Sequence, residues 1–128
     1  AQAKLTGTWT ESSATKPHVG AGYRHDGNAH DGKCVARFEA QLPKAGRYEV
    51  RIAAPPNANR ATRVPVEIHH AAGTKTVLVN QRLAPPVDGL FTSLGIFEFT
   101  AGQPAVVVVS NRDTDGHVII DAVQWLPQ

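Results

Sequence analysis

The sequence predicts an all-β chain folded as an antiparallel β-sandwich of jelly-roll or Greek-key type, with about eight strands. Three observations carry that expectation. Fourteen valines and five isoleucines outnumber seven leucines, and β-branched side chains suit a pleated, half-buried surface. Eleven glycines and nine prolines fall between the apolar runs, leaving no uninterrupted helical pattern of useful length. Short apolar stretches then recur between turn signals, the rhythm of sandwiches and barrels.

Taken in order, residues 35–42 read as a strand with Phe38 inward, and as the antiparallel partner of the run that follows. Pro43, Lys44, Ala45 and Gly46 make the turn between them. In residues 47–52, Tyr48, Val50 and Ile52 alternate with Arg47, Glu49 and Arg51, a period of two that puts the apolar set on one sheet face. Val64, Val66 and Ile68 alternate likewise, and with Ala71, Ala72 and Gly73 at the bend, residues 64–80 read as a hairpin. Residues 94–99, 105–110 and 118–125 supply three more strands. The run Val106 to Val109 does not alternate, as expected of a strand covered on both faces. Loops fall at residues 20–33, 55–62, 85–89 and 111–116.

At 128 residues the chain fits one domain, residues 1–128. Thirteen basic residues against eleven acidic ones give a net charge of +2, and the basic residues are scattered, so no nucleic-acid partner is expected. The single cysteine, Cys34, leaves no internal disulfide framework and no cysteine-based zinc cluster. The longest apolar stretch, Ala105 to Val109, is far too short for a membrane-spanning helix, so no membrane partner is expected. Nothing resembles a signal peptide; a secreted parent protein would have lost its targeting segment.

The phrases along the chain, taken together, carry a resemblance. They are Gly7-Thr8-Trp9, Leu42-Pro43 with Ala45-Gly46 and Tyr48-Glu49-Val50, and Asn59-Arg60-Ala61-Thr62 followed by Val64-Pro65. They continue with Ile68-His69-His70, Val79-Asn80-Gln81, Leu94-Gly95 with Phe97 and Phe99, Ser110-Asn111, and Asp121-Ala122-Val123. In this order and spacing the chain resembles the golvesin C-terminal, or xanthan-lyase carbohydrate-binding-like, family of β-sandwich modules. One departure is Phe91, which stands where the family pattern has a tryptophan. The resemblance implies a non-catalytic module from the C-terminal part of a larger exported protein, with carbohydrate binding as its activity. Fold-level analogy alone does not establish that activity.

Sugar binding needs an aromatic face for the C–H side of a pyranose and planar polar groups for its hydroxyls. Strand parity places Tyr48 inward, puts Phe97 and Phe99 on one core face, and sets Trp125 at an edge. Trp9, Tyr23 and Phe91 remain as stacking candidates, against the alternative that each simply packs. Arg24, Asp26 and Asn28 follow Tyr23 in a glycine-rich loop and could bond hydroxyls or carboxylates. Arg60 offers a rigid fork of donors; the competing reading is that Asn59 and Thr62 organise a turn while Arg60 pins the loop.

The six histidines give no metal site by spacing. His69 and His70 are neighbours in a strand and point to opposite faces. His25 and His30 share a loop with Asp26 and Asp31 and could meet around an ion, although Asp-Gly pairs are also turn formers. Asn111, Asp113, Asp115 and Gly116 open like a calcium loop, but Ala122 stands where the closing glutamate belongs, so a tight turn explains them more simply. No cofactor is expected, with structural calcium the one ion open to the fold. Asp121 sits within an apolar strand, where a carboxylate must be paired or hydrogen-bonded; an anchor to a loop backbone or an arginine accounts for it.

No nucleophile elbow, phosphate loop or distinguished carboxylate pair is present, so no enzyme activity is expected. Cys34 reads as a small residue at the start of a strand. The expectation is a non-catalytic carbohydrate-binding module that anchors a parent enzyme to extracellular polysaccharide. Its partners would be polysaccharide or oligosaccharide and the parent's domains in cis, and its place extracellular or periplasmic. The alternative is a structural or docking sandwich that packs on its parent enzyme and binds no sugar.

Overall fold

The structure is a computed structural model and describes residues 3–16, 18–19, 22–29 and 31–128. Among these residues there is no helix, and eleven strands are formed: β1 (Ala3–Thr6), β2 (Thr10–Ser12), β3 (Tyr23–His25), β4 (Val35–Ala40), β5 (Gly46–Ala53), β6 (Val64–His70), β7 (Gly73–Val79), β8 (Phe91–Phe99), β9 (Ala105–Ser110), β10 (Ile119–Ile120) and β11 (Ala122–Pro127). One layer is a five-stranded sheet in the order β1-β4-β9-β6-β7. Facing it are two three-stranded half-sheets, β11-β5-β8 and β10-β3-β2, joined where β10 runs into β11 across Asp121. Every strand pair is antiparallel.

The core lies between the layers. The five-stranded sheet contributes Ala36, Phe38, Val64, Val66, Ile68, Val107 and Val109, and the opposite layer Tyr48, Val50, Ile52, Leu94, Phe99 and Ile120. Full burial of each such valine or isoleucine stabilises the fold by about 1.5–3 kcal/mol. The ring edge of Tyr48 meets Phe99 with centroids 5.9 Å apart, and the Tyr48 hydroxyl donates to the Lys44 carbonyl at 2.8 Å, so its polar end is satisfied. β9 is the central strand, paired to β4 on one side and β6 on the other, which accounts for its unbroken valine run.

The hairpin over residues 64–80 forms as β6 and β7, in register from Val64↔Val79 to His70↔Gly73. Three expectations need correction. Residues 35–42 do not pair with residues 47–52. β4 and β5 lie in opposite layers, because β4 is needed to complete the edge of buried β9 and the 43–46 turn carries the chain across the sandwich. The 20–33 loop contains a strand, β3, whose three residues pair with both β2 and β10. The strand expected over residues 118–125 is divided at Asp121: Ile119 and Ile120 pair with β3, and from Ala122 onward the chain pairs with β5. At this break the Asp121 Oδ2 accepts the Val19 N–H at 2.6 Å, the loop-backbone anchor that an aspartate among apolar neighbours requires. Burial pushes its carboxyl pKa upward.

Candidate ligand cleft

Directly opposed residues of an antiparallel ladder project to the same side. Ile120 opposes Arg24, and Arg24 opposes Glu11, so these three form one cross-strand row. Ile120 belongs to the core, and Arg24 and Glu11 therefore point toward the space between the layers. Across that space stand Ala3 and Leu5 of β1 and Phe38 of β4, with Ala3 opposite Phe38 in the ladder. A charged pair facing an apolar wall cannot close into a dry core, and here the sandwich stays open. The result is a cleft of about 760 Å³ lined by Ala3, Leu5, Phe38 and Ile120 on apolar surface and by Glu11, Ser12, Ser13, Gly22, Tyr23, Arg24 and Asp121 on polar surface. Arg24 Nη2 donates to Glu11 Oε1 at 2.9 Å, with both side chains well exposed. At Gly22 an added Cβ would stand 2.6 Å from the Ser12 carbonyl oxygen, so the close approach of β2 and β3 at this mouth needs glycine.

The other side of the same half-sheet is closed. Tyr23 alternates with Arg24 and is buried. Its hydroxyl oxygen accepts from the Thr15 N–H at 3.0 Å and the Ser12 hydroxyl at 3.3 Å. The Arg60 guanidinium lies over the ring, 5.6 Å from the centroid, within the range of a cation–π contact. Burial opposes ionisation of the phenol, but the donors from Ser12, Thr15 and Arg60 outweigh it and bring the pKa down to about 8. Arg60 is itself buried and donates to Pro55 O, Asn59 Oδ1 and Thr15 Oγ1. Its backbone pairs in parallel with His117, across Gly116, where a Cβ would come within 2.5 Å of the Arg60 carbonyl oxygen. The Asn59–Thr62 phrase thus serves as a structural clamp: Ala61 donates to His117 O, and Thr62 donates through its N–H and hydroxyl to the two Asp115 oxygens at 2.7 Å each.

A second buried polar network fixes the end of β3. Asp26 accepts from the Val118 N–H at 2.9 Å and the Asn28 N–H at 3.0 Å through Oδ1, and from Asn111 Nδ2 at 3.0 Å through Oδ2. Asn111 is fully buried; its Oδ1 accepts the Cys34 N–H and its Nδ2 also donates to Asp31. The Cys34 thiol is buried, bonded to the Thr8 carbonyl, and has its pKa raised by burial. Gln81 completes the arrangement by exchanging two hydrogen bonds with the Ile119 backbone, as a neighbouring strand would.

Of the sequence candidates, Tyr23 and Arg24 line the cleft. Asp26 and Arg60 are buried with their polar atoms engaged internally. Asn28 is exposed in a turn at φ 62°. Trp9 is half-buried, packs on the core and donates to Thr6 O, and Phe91 is buried at the start of β8. Glu11, Ser12 and Ser13 were not singled out by sequence, because their place depends on a ladder between two three-residue strands. Parity with Arg24 would reveal Glu11 only once that register is known. His30 lies outside the described residues, so its pairing with His25 is not described. The His25 Nδ1 accepts from Gly27 N–H, and its ring meets His117 edge-on with centroids 5.5 Å apart. Burial, then the His117 charge, lower its pKa. Among the described residues no group of three or more His, Cys, Asp or Glu side chains is placed to hold a metal ion.

The two facing layers and the open end between them define a β-sandwich module with a polar-walled cleft. The chain belongs to the Golvesin C-terminal domain family, whose model matches residues 1–126. It is 39% identical over 124 residues to a xanthan lyase of Bacillus sp. (strain GL1), covering 94% of this chain and 13% of that protein. Among solved structures, the Paenibacillus xanthan lyase superimposes on all of this chain with a TM-score of 0.93 at 34% identity, and 12% of that enzyme is covered. A Podospora anserina GH26-CBM35 β-(1,4)-mannanase matches 98% of this chain and 26% of its own with a TM-score of 0.70; at 20% identity it shows the shared fold. The chain spans about an eighth of the xanthan lyases it matches. Among the described residues no helix is long and apolar enough to cross a membrane.

Proposed function

We propose that this chain is a non-catalytic carbohydrate-binding module of a longer extracellular, polysaccharide-acting protein, and that the cleft between β1, β4 and the β10-β3-β2 half-sheet is its binding site. The observation that carries this reading is the cleft's composition. An apolar wall of Ala3, Leu5, Phe38 and Ile120 faces hydroxyl, guanidinium and carboxylate groups, matching a sugar ring, which presents C–H surface on one side and hydroxyls at its rim. Kinship with a short segment of xanthan lyases and a fold shared with a CBM35-bearing mannanase support the reading. Arg24 is then the sequence candidate nearest the ligand, while Tyr23, buried on the far side of β3, joins Asp26 and Arg60 in holding the half-sheet in place. The test is affinity electrophoresis through gels containing soluble polysaccharides, including xanthan and mannan. Retardation of the native chain is expected, and its loss in Arg24→Ala with an unchanged melting temperature. Free migration through every polysaccharide would overturn the module reading.

A second reading is favoured by a specific observation. None of the eight aromatic residues is exposed, whereas Leu78, Leu83 and Ile96 are, at 60%, 65% and 47%. A surface without an exposed aromatic ring offers a sugar no stacking platform, and silence on every glycan would transfer the assignment to a domain that packs against its parent enzyme.

A further inference from the structure

We infer that the cleft is blind, and that the module binds the ends of glycans, a main-chain terminus or the tip of a side branch, rather than the interior of a polysaccharide chain. It deepens the module reading and rests on it. A site that holds the interior of a polymer needs two exits in line, and the way this chain crosses between layers removes one of them. β1 lies in the five-stranded sheet and β2 in the facing half-sheet. Residues 7–9 therefore pass from one layer to the other between Thr6 and Thr10, next to Leu5 and Glu11. Those two residues mark the inner end of the cleft, and Ala3 and Ser13 mark the outer end.

Three contacts make the crossover a fixed wall. The Trp9 Nε1–H donates to the Thr6 carbonyl at 3.1 Å, and the ring packs on the core. The Cys34 thiol donates to the Thr8 carbonyl at 3.4 Å. A Cβ at Gly7 would stand 2.6 Å from the Lys33 carbonyl oxygen, so the backbone there lies against the residues that lead into β4. Across the strands the way is closed as well, because Phe38 and Ile120 at the floor are core residues with 3% and 4% exposure. What remains is an entrance between the free edges of β1 and β2, each of which pairs on one side only among the described residues.

The dimensions suit a short ligand. The β1 wall is Ala3 and Leu5, a run of about 7 Å at the usual rise of a strand. The cleft's volume of about 760 Å³ falls within the ~300–1,000 Å³ of pockets that enclose small molecules. A glycan terminus can lay its C–H face on Leu5 and Phe38 and turn its hydroxyls to Glu11, Arg24 and the unpaired backbone groups of the two edges. The interior of a chain, entering the same way, would run into the crossover or the core.

The experiment is affinity electrophoresis through gels of linear β-1,4-mannan, galactomannan and xanthan, each at full length, sheared short, and, for the two branched polymers, stripped of side branches. Retardation should follow the number of ends. Shearing linear mannan about tenfold multiplies its ends by the same factor, so the mass concentration that half-retards the native chain should fall about tenfold, because mass action counts sites. A branched polymer that retards the chain should do so at full length, change little on shearing and lose its effect with its branches. Arg24→Ala, shown folded by an unchanged circular dichroism melt, should migrate freely in every gel. Retardation indifferent both to the shearing of mannan and to the removal of branches overturns the inference and leaves the module reading standing. Retardation that survives in Arg24→Ala moves the site out of the cleft and overturns it too. Free migration of the native chain through all three polymers overturns both.

Discussion

Replacing Asp26 by asparagine changes one oxygen to an NH₂ group and preserves shape, so its effect isolates the direction of hydrogen bonds in the buried network. The Cys34 N–H donates to Asn111 Oδ1, Asn111 Nδ2 donates to Asp26 Oδ2, and the Val118 N–H donates to Asp26 Oδ1. Both ends of this relay are backbone donors that cannot reverse. With asparagine at position 26, one orientation sets NH₂ against the Asn111 NH₂, and the flipped one sets it against the Val118 N–H. Flipping Asn111 instead moves the conflict to the Cys34 N–H. Every arrangement therefore leaves two donors facing each other in a buried site. Losing a hydrogen bond to a charged acceptor costs about 1.5–3 kcal/mol, and a buried donor left unsatisfied costs about 1–3 kcal/mol. Because the two overlap in part, the expected loss is about 3 kcal/mol, a large share of the ~5–15 kcal/mol that holds a domain of this size. The melting temperature should fall by about 10 °C. Urea unfolding followed by the fluorescence of Trp9 and Trp125 measures it, with native chain and variant compared at equal slope. A loss below about 1 kcal/mol would refute the fixed-direction argument and return Asp26 to the pool of ligand contacts.

Two further outcomes follow from the titrating groups. Tyrosinate absorbance at 295 nm should show an early phase near pH 8, set by the Tyr23 phenol in its cradle of donors, and Tyr23→Phe should remove it; a single phase near the usual phenol range of about 10 would contradict the cradle. The Asp115 carboxyl is held below its ordinary value by the Thr62 hydroxyl and N–H, so its stabilising effect is full above the unfolded pKa of about 3.9 and is lost as pH falls through the lower folded value. Asp115→Asn should therefore flatten the acid limb of the stability profile below about pH 4, and native and variant limbs that run parallel would count against the Thr62 clamp.

The long strands were legible because they are long enough to show their period. Tyr48, Val50 and Ile52 alternate over enough residues to fix which face is buried, and the valines of β9 announce a central strand. β2 and β3, with three residues each, cannot display a period, and β3 carries Arg24 on the side that elsewhere bears apolar groups. Their signal resembles that of a loop: the sequence reading places β3 inside the 20–33 loop and assigns no element to residues 10–12. Sequence proximity misled at β4 and β5, where a short proline-containing turn suggested a hairpin and the chain instead changes layer. For the cleft, Tyr23 and Arg24 were found by residue type, but neighbours in a strand face opposite ways. The feature that decides the chemistry, Glu11 beside Arg24, exists only as a pairing between segments thirteen residues apart.

The gap in the ladder at Asp121 has a consequence for how such a module can diversify. It separates the half-sheet that lines the cleft from the one that completes the core, and the two are tied to the remainder by different residues. The β10-β3-β2 piece is bolted from behind by Asn111, Asp26, Gln81 and Arg60, none of which lines the cleft. Glu11, Ser13 and Arg24 at the front carry none of that anchoring. Substitutions that retune what the cleft accepts are thus uncoupled from those that unfold it, and a lineage can explore new ligands on this scaffold while its thermal tolerance stays the same.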